Sequence, residues 1–259
     1  MSERPAGRRA LVTGAARGIG LATARRLAAD GARVALLDVD AASLGRAVAG
    51  LAPAGGADTA TAPTVLALRA DVADEAGVEH ALAEVVDAWG GLDVLVPNAA
   101  VQLDHDDRVD RLALAAWRRT LDVNLTGAFL TAKHGVRALG PGGVVVFTAS
   151  PAGHYAIARG RHAYSASKAG IYGLVKVMAA DLAADGIRVC GVFPGVTDTP
   201  MNAAFLADAP ARDALLSAVP LGRAGSAEEV AAVIAFLASD EASYATGAVW
   251  TVDGGLTAV

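Results

Sequence analysis

Short runs of apolar residues alternate with longer helical stretches along the 259-residue chain, and this alternation leaves few folds open. Ala10-Leu11-Val12 precedes a helix-like Ile19 to Ala29, and Arg33 to Leu37 precedes a helix over Ala41 to Ala49. After an Ala-, Gly-, Pro- and Thr-rich loop from Gly50 to Pro63, Val65 to Leu68 reads as a third strand and Asp74 to Trp89 as a third helix. Leu92 to Val96 is a fourth strand, followed by a long helical region from about Leu112 to Leu139 with Asn124 in its middle. Gly143 to Thr148, Ile187 to Phe193 and Ala248 to Val252 complete the strands. Tyr164 to Ala184 and Glu228 to Leu237 complete the helices, the latter with Ser226 as its cap. Runs such as Val144-Val145-Val146-Phe147 are apolar at every position, as expected of strands covered on both faces of a parallel sheet. Strands alternating with helices predict βαβ units and one doubly wound, Rossmann-like α/β domain over 1–259.

Composition excludes several function classes. Apolar residues make up 54% of the chain, too many for a disordered segment. Cys190 is the only cysteine and has no partner for an internal disulfide. A net charge of −5 argues against a nucleic-acid backbone as partner. No apolar run reaches membrane-spanning length, and the polar, basic Met1 to Arg9 is not a signal sequence, so a cytoplasmic protein with no membrane partner is expected. Alanine supplies roughly sixty positions, far above average usage.

Ligands of such sheets bind beyond the carboxyl ends of the strands. After the first strand stands Thr13-Gly14-Ala15-Ala16-Arg17-Gly18-Ile19-Gly20. Glycines there let the backbone turn tightly, and the following helix N-terminus offers free N–H groups to a pyrophosphate. The second strand ends at Asp38, whose carboxylate suits the ribose hydroxyls of NAD and repels the 2′-phosphate of NADP. Val39 adds no compensating cation, whereas Arg17 is the one residue that speaks for NADP.

Tyr164 and Lys168 are four apart at the start of a helix and share a face. A phenol titrates near pH 10, and an adjacent ammonium favours its anion. A shift of about three units requires roughly 4 kcal/mol, which one close cation in a partly dry site largely supplies. Ser150 ends the fifth strand, where its hydroxyl is placed to hold a substrate oxygen.

The chain resembles the compact, single-domain branch of the short-chain dehydrogenase/reductase family. The resemblance runs nearly end to end: Thr13-Gly14-x-x-x-Gly18-x-Gly20, Asp71-Val72, Asn98-Ala99, Asn124, Ser150, Tyr164-Ser165-Ala166-Ser167-Lys168, Pro194-Gly195, Pro220-Leu221-Gly222-Arg223, Phe236 to Asp240 and Val252-Asp253-Gly254-Gly255. It implies that Tyr164 is the general acid/base, that Lys168 holds the nicotinamide ribose and lowers the tyrosine pKa, that Ser150 orients the carbonyl or hydroxyl, and that Asn124 supports a water-linked relay to Lys168. It also implies that Asp71 and Val72 meet the adenine and that Val196 and Thr199 border the carboxamide. A homotetramer or homodimer follows from the same resemblance. Three departures stand out. Pro97-Asn98-Ala99-Ala100 replaces the usual Asn-Asn-Ala-Gly, Ala149-Ser150 replaces a serine pair, and the stretch from Ser150 to Tyr164 is one residue longer than common.

Other candidates are secondary. Asp104-His105-Asp106-Asp107 reads as a solvated turn, with no metal site expected. His154, Tyr155 and Gln102 are placed to face the substrate, and Arg159 and Arg161 to recognise an anionic group or simply to stand in solvent. Met201, Phe205 and Leu206 fall in a stretch, 197–220, that reads as a substrate lid. Cys190 reads as a buried small hydrophobe. Together these residues predict an NAD-dependent enzyme interconverting a small-molecule secondary alcohol and a ketone. An NADPH-dependent ketoreductase and a non-catalytic dinucleotide sensor are the alternatives. A sugar, a cyclic alcohol, a steroid-like ring and a β-ketoacyl group all remain open as substrate. Enoyl reductases of related fold space their tyrosine and lysine more widely.

Overall fold

The computed structural model describes residues 7–51, 63–155 and 157–258. Most of the loop expected from Gly50 to Pro63, and the start of the chain before Gly7, lie outside them. Seven strands are β1 (Arg9–Thr13), β2 (Arg33–Asp38), β3 (Val65–Arg69), β4 (Leu92–Val96), β5 (Leu139–Thr148), β6 (Arg188–Pro194) and β7 (Val249–Val252). They form one sheet in the order β3-β2-β1-β4-β5-β6-β7, and every neighbouring pair is parallel. The order reverses direction between β1 and β4, which opens a crevice at their carboxyl ends.

Side chains along each strand alternate between the two faces, and both faces are covered. Leu11, Val145 and Phe147 pack on one side with Val78, Leu82 and Val85 of α3 (Glu75–Trp89) and Ile171 and Val175 of α6 (His162–Leu182). Val12, Val144 and Val146 pack on the other with Ala24 and Leu27 of α1 (Gly18–Ala29), Leu44 of α2 (Ala41–Ala49) and Val230 and Ile234 of α9 (Ala227–Ala238). Each fully buried aliphatic side chain in these layers contributes on the order of 2 kcal/mol of hydrophobic free energy. The expected Ser226 cap forms as a reciprocal capping box: the Ser226 hydroxyl accepts from the Glu229 N–H, and the Glu229 carboxylate accepts from the Ser226 N–H.

Two expectations need correction. The long helix expected from Leu112 to Leu139 is broken into α4 (Leu114–Leu121), a π-turn over Asp122–Thr126, α5 (Gly127–Gly135) and a closing 3-10 turn. Periodicity does not register the π-turn because the residue pattern stays helical through it. Within 197–220, read only as a lid, the chain forms α7 (Ala203–Ala207) and α8 (Ala209–Leu216). A two-residue parallel pair, Thr197–Asp198 with Gly225–Ser226, closes the base of this segment.

Candidate active site

The crevice at the carboxyl ends of the strands is a single large cavity of about 690 Å³. Its wall includes seventeen of the nineteen residues singled out from sequence: Gly14, Arg17, Gly18, Ile19, Asp38, Val39, Asp71, Val72, Asn98, Ala99, Ser150, Tyr164, Lys168, Pro194, Gly195, Val196 and Thr199. Gly20 and Asn124 are the two that stand behind the wall.

At one end the glycine loop joins β1 to α1. Gly14 has φ +63°, and a Cβ there would stand 2.8 Å from the Ala99 Cα. A Cβ on Gly20 would collide with the backbone carbonyl of Gly14. The loop is fastened from three sides. The Thr13 hydroxyl accepts from the N–H groups of Asn98 and Ala99 at 3.0 and 3.1 Å. The Asn98 amide donates to the Thr13 carbonyl at 2.9 Å. Asp38, nearly buried, accepts from the Ala16 and Asp40 N–H groups, both at 3.0 Å. Asn98, singled out as a cofactor contact, thus also braces the loop. Next to this end Asp71 pairs with Arg119 at 3.1 Å.

At the other end β5 delivers Ser150, and α6 delivers Tyr164 and Lys168 one turn apart on the same face. Lys168 is buried, and its Nζ donates to the Thr148 carbonyl at 2.9 Å while lying 5.7 Å from the centre of the Tyr164 ring. Burial lowers the Lys168 ammonium to about 8. Burial pushes the Tyr164 phenol up, and hydrogen bonding with Ser150 pulls it part of the way back. The sequence-based expectation of a lowered phenol therefore does not hold for the protein groups alone, because desolvation penalises the phenolate more than its neighbours favour it.

Asn124 is fully buried in the π-turn. Its side chain accepts from the Val101 N–H at 2.7 Å and donates to the Val101 carbonyl at 2.9 Å and to the Ser167 hydroxyl at 3.2 Å. Ser167 donates in turn to the Tyr164 carbonyl. Asn124 thereby ties the loop after β4 to α6.

Asp106 holds the start of α6, a place that its sequence context did not mark. The Asp104 to Asp107 stretch does not simply stand in solvent. Asp106 is buried, and its carboxylate accepts from the Ala163 and Tyr164 N–H groups at 3.1 and 2.9 Å. A carboxylate at a helix N-terminus satisfies free donors and complements the helix dipole. The Arg161 guanidinium donates to the Leu103 carbonyl and His162 Nδ1 to the Asp107 carbonyl, so the same loop grips the start of α6 three times. These contacts span more than fifty residues, and no local spacing signals them.

Among the secondary candidates, Gln102, Arg159, Arg161, Met201 and Phe205 line the cavity, whereas His154, Tyr155 and Leu206 do not. The His154 ring packs instead against Tyr172 at a tilt of 55°, with ring centres 4.3 Å apart. Cys190 is buried in β6. Among the described residues no helix is long and apolar enough to cross a membrane.

The glycine loop fits a dinucleotide: Gly14 and Gly20 leave no room for side chains where the backbone must come close, and the loop opens onto a helix N-terminus. Comparisons with known proteins agree. Residues 14–257 match the family described as enoyl-(acyl carrier protein) reductase. The chain is 43% identical over 263 residues to the cis-4-hydroxycyclohexanecarboxylate dehydrogenase of Sinomonas cyclohexanicum, covering 100% of both chains. It is 37% identical to the 3beta-hydroxysteroid dehydrogenase 1 of Eggerthella lenta, over 97% of this chain and 94% of that one. Its fold matches the crystal structure of a short chain dehydrogenase from Burkholderia cenocepacia J2315 in complex with NADP, with TM-score 0.88, 39% identity and coverage of 98% and 99%. Motif, fold and similarity along the whole chain converge, and the chain belongs to the short-chain dehydrogenase/reductase family.

Proposed function

We propose that the protein is an NAD-preferring dehydrogenase that interconverts a secondary alcohol, carried on an apolar, cyclic body, with its ketone. The observation that carries this reading is the meeting of Ser150, Tyr164 and Lys168 in the one cavity that also holds the glycine loop. Both relatives named above act on ring-borne hydroxyl groups by their names. The four-residue step from Tyr164 to Lys168 argues against enoyl reduction, despite the wording of the family description.

A nicotinamide dinucleotide held by Gly14, Gly18, Ile19, Asp38, Asp71, Val72, Asn98, Ala99, Lys168, Pro194, Gly195, Val196 and Thr199 supplies hydride chemistry when bound. The protein supplies orientation and the proton. Ser150 holds the substrate oxygen beside the Tyr164 hydroxyl, which takes the alcohol proton in oxidation and returns it in reduction. The Lys168 ammonium offsets the desolvation of the phenolate, and Asn124 supports proton exchange through its hold on α6. The segment 197–220 serves as a lid, with Met201 and Phe205 excluding water from the reacting centre.

NAD preference rests on Asp38, whose fixed, nearly buried carboxylate stands in the wall where a 2′-phosphate would be repelled. Arg17 lines the same end and favours the second reading, an NADP-using ketoreductase. Comparing kcat/KM with NAD and NADP decides between them: NAD is expected to lead by at least about tenfold, and an NADP lead overturns the role given to Asp38. Tyr164→Phe is expected to lower kcat by about a thousandfold while NADH still binds, as read by its fluorescence. Activity surviving that change removes the mechanism. A homo-oligomer and a cytoplasmic location belong to the same reading. Sedimentation analysis checks the first.

A further inference from the structure

We infer that the substrate carries an anionic group, a carboxylate or its equivalent, and that Arg159 receives it. The inference rests on the dehydrogenase reading above and names the substrate class of that same cavity. Seven charged side chains line the wall: Asp38, Asp71, Arg17, Arg119, Arg159, Arg161 and Lys168. Both carboxylates stand at the adenosine end assigned above, so no acid of the wall answers the cations at the substrate end. Three of the five cations are already occupied, and a fourth stands at the dinucleotide end. Arg119 pairs with Asp71, Arg161 donates to the Leu103 carbonyl and Lys168 to the Thr148 carbonyl, while Arg17 belongs to the glycine loop. Arg159 makes no hydrogen bond or ion pair among the described residues, its side chain is exposed, and unlike Arg17 it stands apart from the glycine loop in the chain.

Its place gives that free guanidinium a use. Arg159 belongs to the segment that runs from Ser150 to Tyr164 and lines the same cavity as those two groups. Ile157, Val101, Met201, Phe205 and Leu215 also line the cavity and offer apolar surface suited to a hydrocarbon ring. Guanidinium stays charged across the working pH range and offers two parallel donors that match a carboxylate. A substrate with its hydroxyl at Ser150 and Tyr164, an apolar body under the lid and an anion toward Arg159 uses all three features. A neutral body would leave the cation idle. The carboxylate in the name of the Sinomonas relative's substrate fits this division of the cavity.

The test compares pairs of secondary alcohols that differ only in carboxylate versus carboxamide, cis- and trans-4-hydroxycyclohexanecarboxylate among them. Wild type, Arg159→Gln and Arg159→Lys are assayed by the absorbance of the reduced nicotinamide. The wild type is expected to favour acid over amide in kcat/KM by about tenfold, carried mostly by KM and weakened by added salt. Arg159→Gln is expected to collapse that ratio toward one, and Arg159→Lys to keep part of it. Oxidation of amides and neutral ring alcohols as efficiently as the acids, or an acid-to-amide ratio unchanged in Arg159→Gln, overturns the proposal and leaves the dehydrogenase standing. Failure to oxidise any secondary alcohol while NADH binds removes the dehydrogenase reading itself, and this inference with it.

Discussion

The two ends of the cavity are built to different standards. At the glycine loop the polar side chains of Thr13, Asp38 and Asn98 are spent on holding backbone, and the loop leaves no space for a Cβ at Gly14 or Gly20. At the substrate end, Arg159 is unpaired and Met201 and Phe205 of the segment after β6 are partly exposed. The start of α6 is held there by Asp106 and its loop. A ligand shared across a family is served by rigid, preformed geometry. A substrate that differs between relatives is served by adaptable segments mounted on a fixed frame.

Three measurements break or sharpen that contrast. Gly20→Ala carries the largest expected effect. Its Cβ meets a backbone carbonyl rather than a movable side chain, so dinucleotide affinity is expected to fall at least about a hundredfold, with several degrees lost in thermal midpoint. A dissociation constant within twofold of wild type means that this end is as pliable as the other. Asp106→Ala comes next. It removes the acceptor for two helix N-terminal donors, and kcat is expected to drop about tenfold at nearly unchanged KM for dinucleotide, with about 1–2 kcal/mol of stability lost. Asp106→Asn keeps one acceptor and is expected to recover part of kcat. Equal loss in both variants at full stability argues against a positioning role.

The smallest effect is a titration. Lysine occurs only at positions 133, 168 and 176, so Nζ resonances of 15N-lysine-labelled protein are few enough to assign. Lys168 is expected to titrate near 8, below its ordinary value, because burial disfavours the ammonium. The sign follows from linkage. The unfolded chain holds that proton more tightly, so below pH 8 the buried charge costs stability, and the cost is relieved as pH rises from about 8 to 10.5. Relative to Lys168→Met, the free protein should gain stability across that window. Three lysines all titrating above 10 would show that the catalytic end is wetter than its packing indicates.

Legibility divided along physical lines. The alternating apolar runs marked all seven strands of the sheet, because burial on both faces writes itself into nearly every position of the inner strands, while the half-buried edge strands Val65–Arg69 and Val249–Val252 keep short β-rich runs. The glycine loop, Asp38, Ser150 and the Tyr164–Lys168 step were legible because each requirement falls within a few residues of chain. α8 was legible in principle, since Asp208 caps it and Pro210 stands in its first turn, but its alanine-rich face carried no contrast. Asp106 read as a solvated acid, and its real partners lie 57 and 58 residues away. Asn124 read as part of a relay, while its amide is engaged by Val101, 23 residues away.

By itself, then, the sequence determined the family, the sheet and the residues that meet at the carboxyl ends of its strands, because pattern and spacing act locally. Tertiary structure alone decided how those residues are held and charged. It set Asp106 under the first turn of α6, drew Asn124 into the joint between that helix and the loop after β4, moved the Lys168 ammonium down and the Tyr164 phenol up, and left the Arg159 guanidinium in the wall without a hydrogen bond or ion pair. Those properties depend on desolvation and on hydrogen bonds between distant segments, and neither exists until the chain has folded.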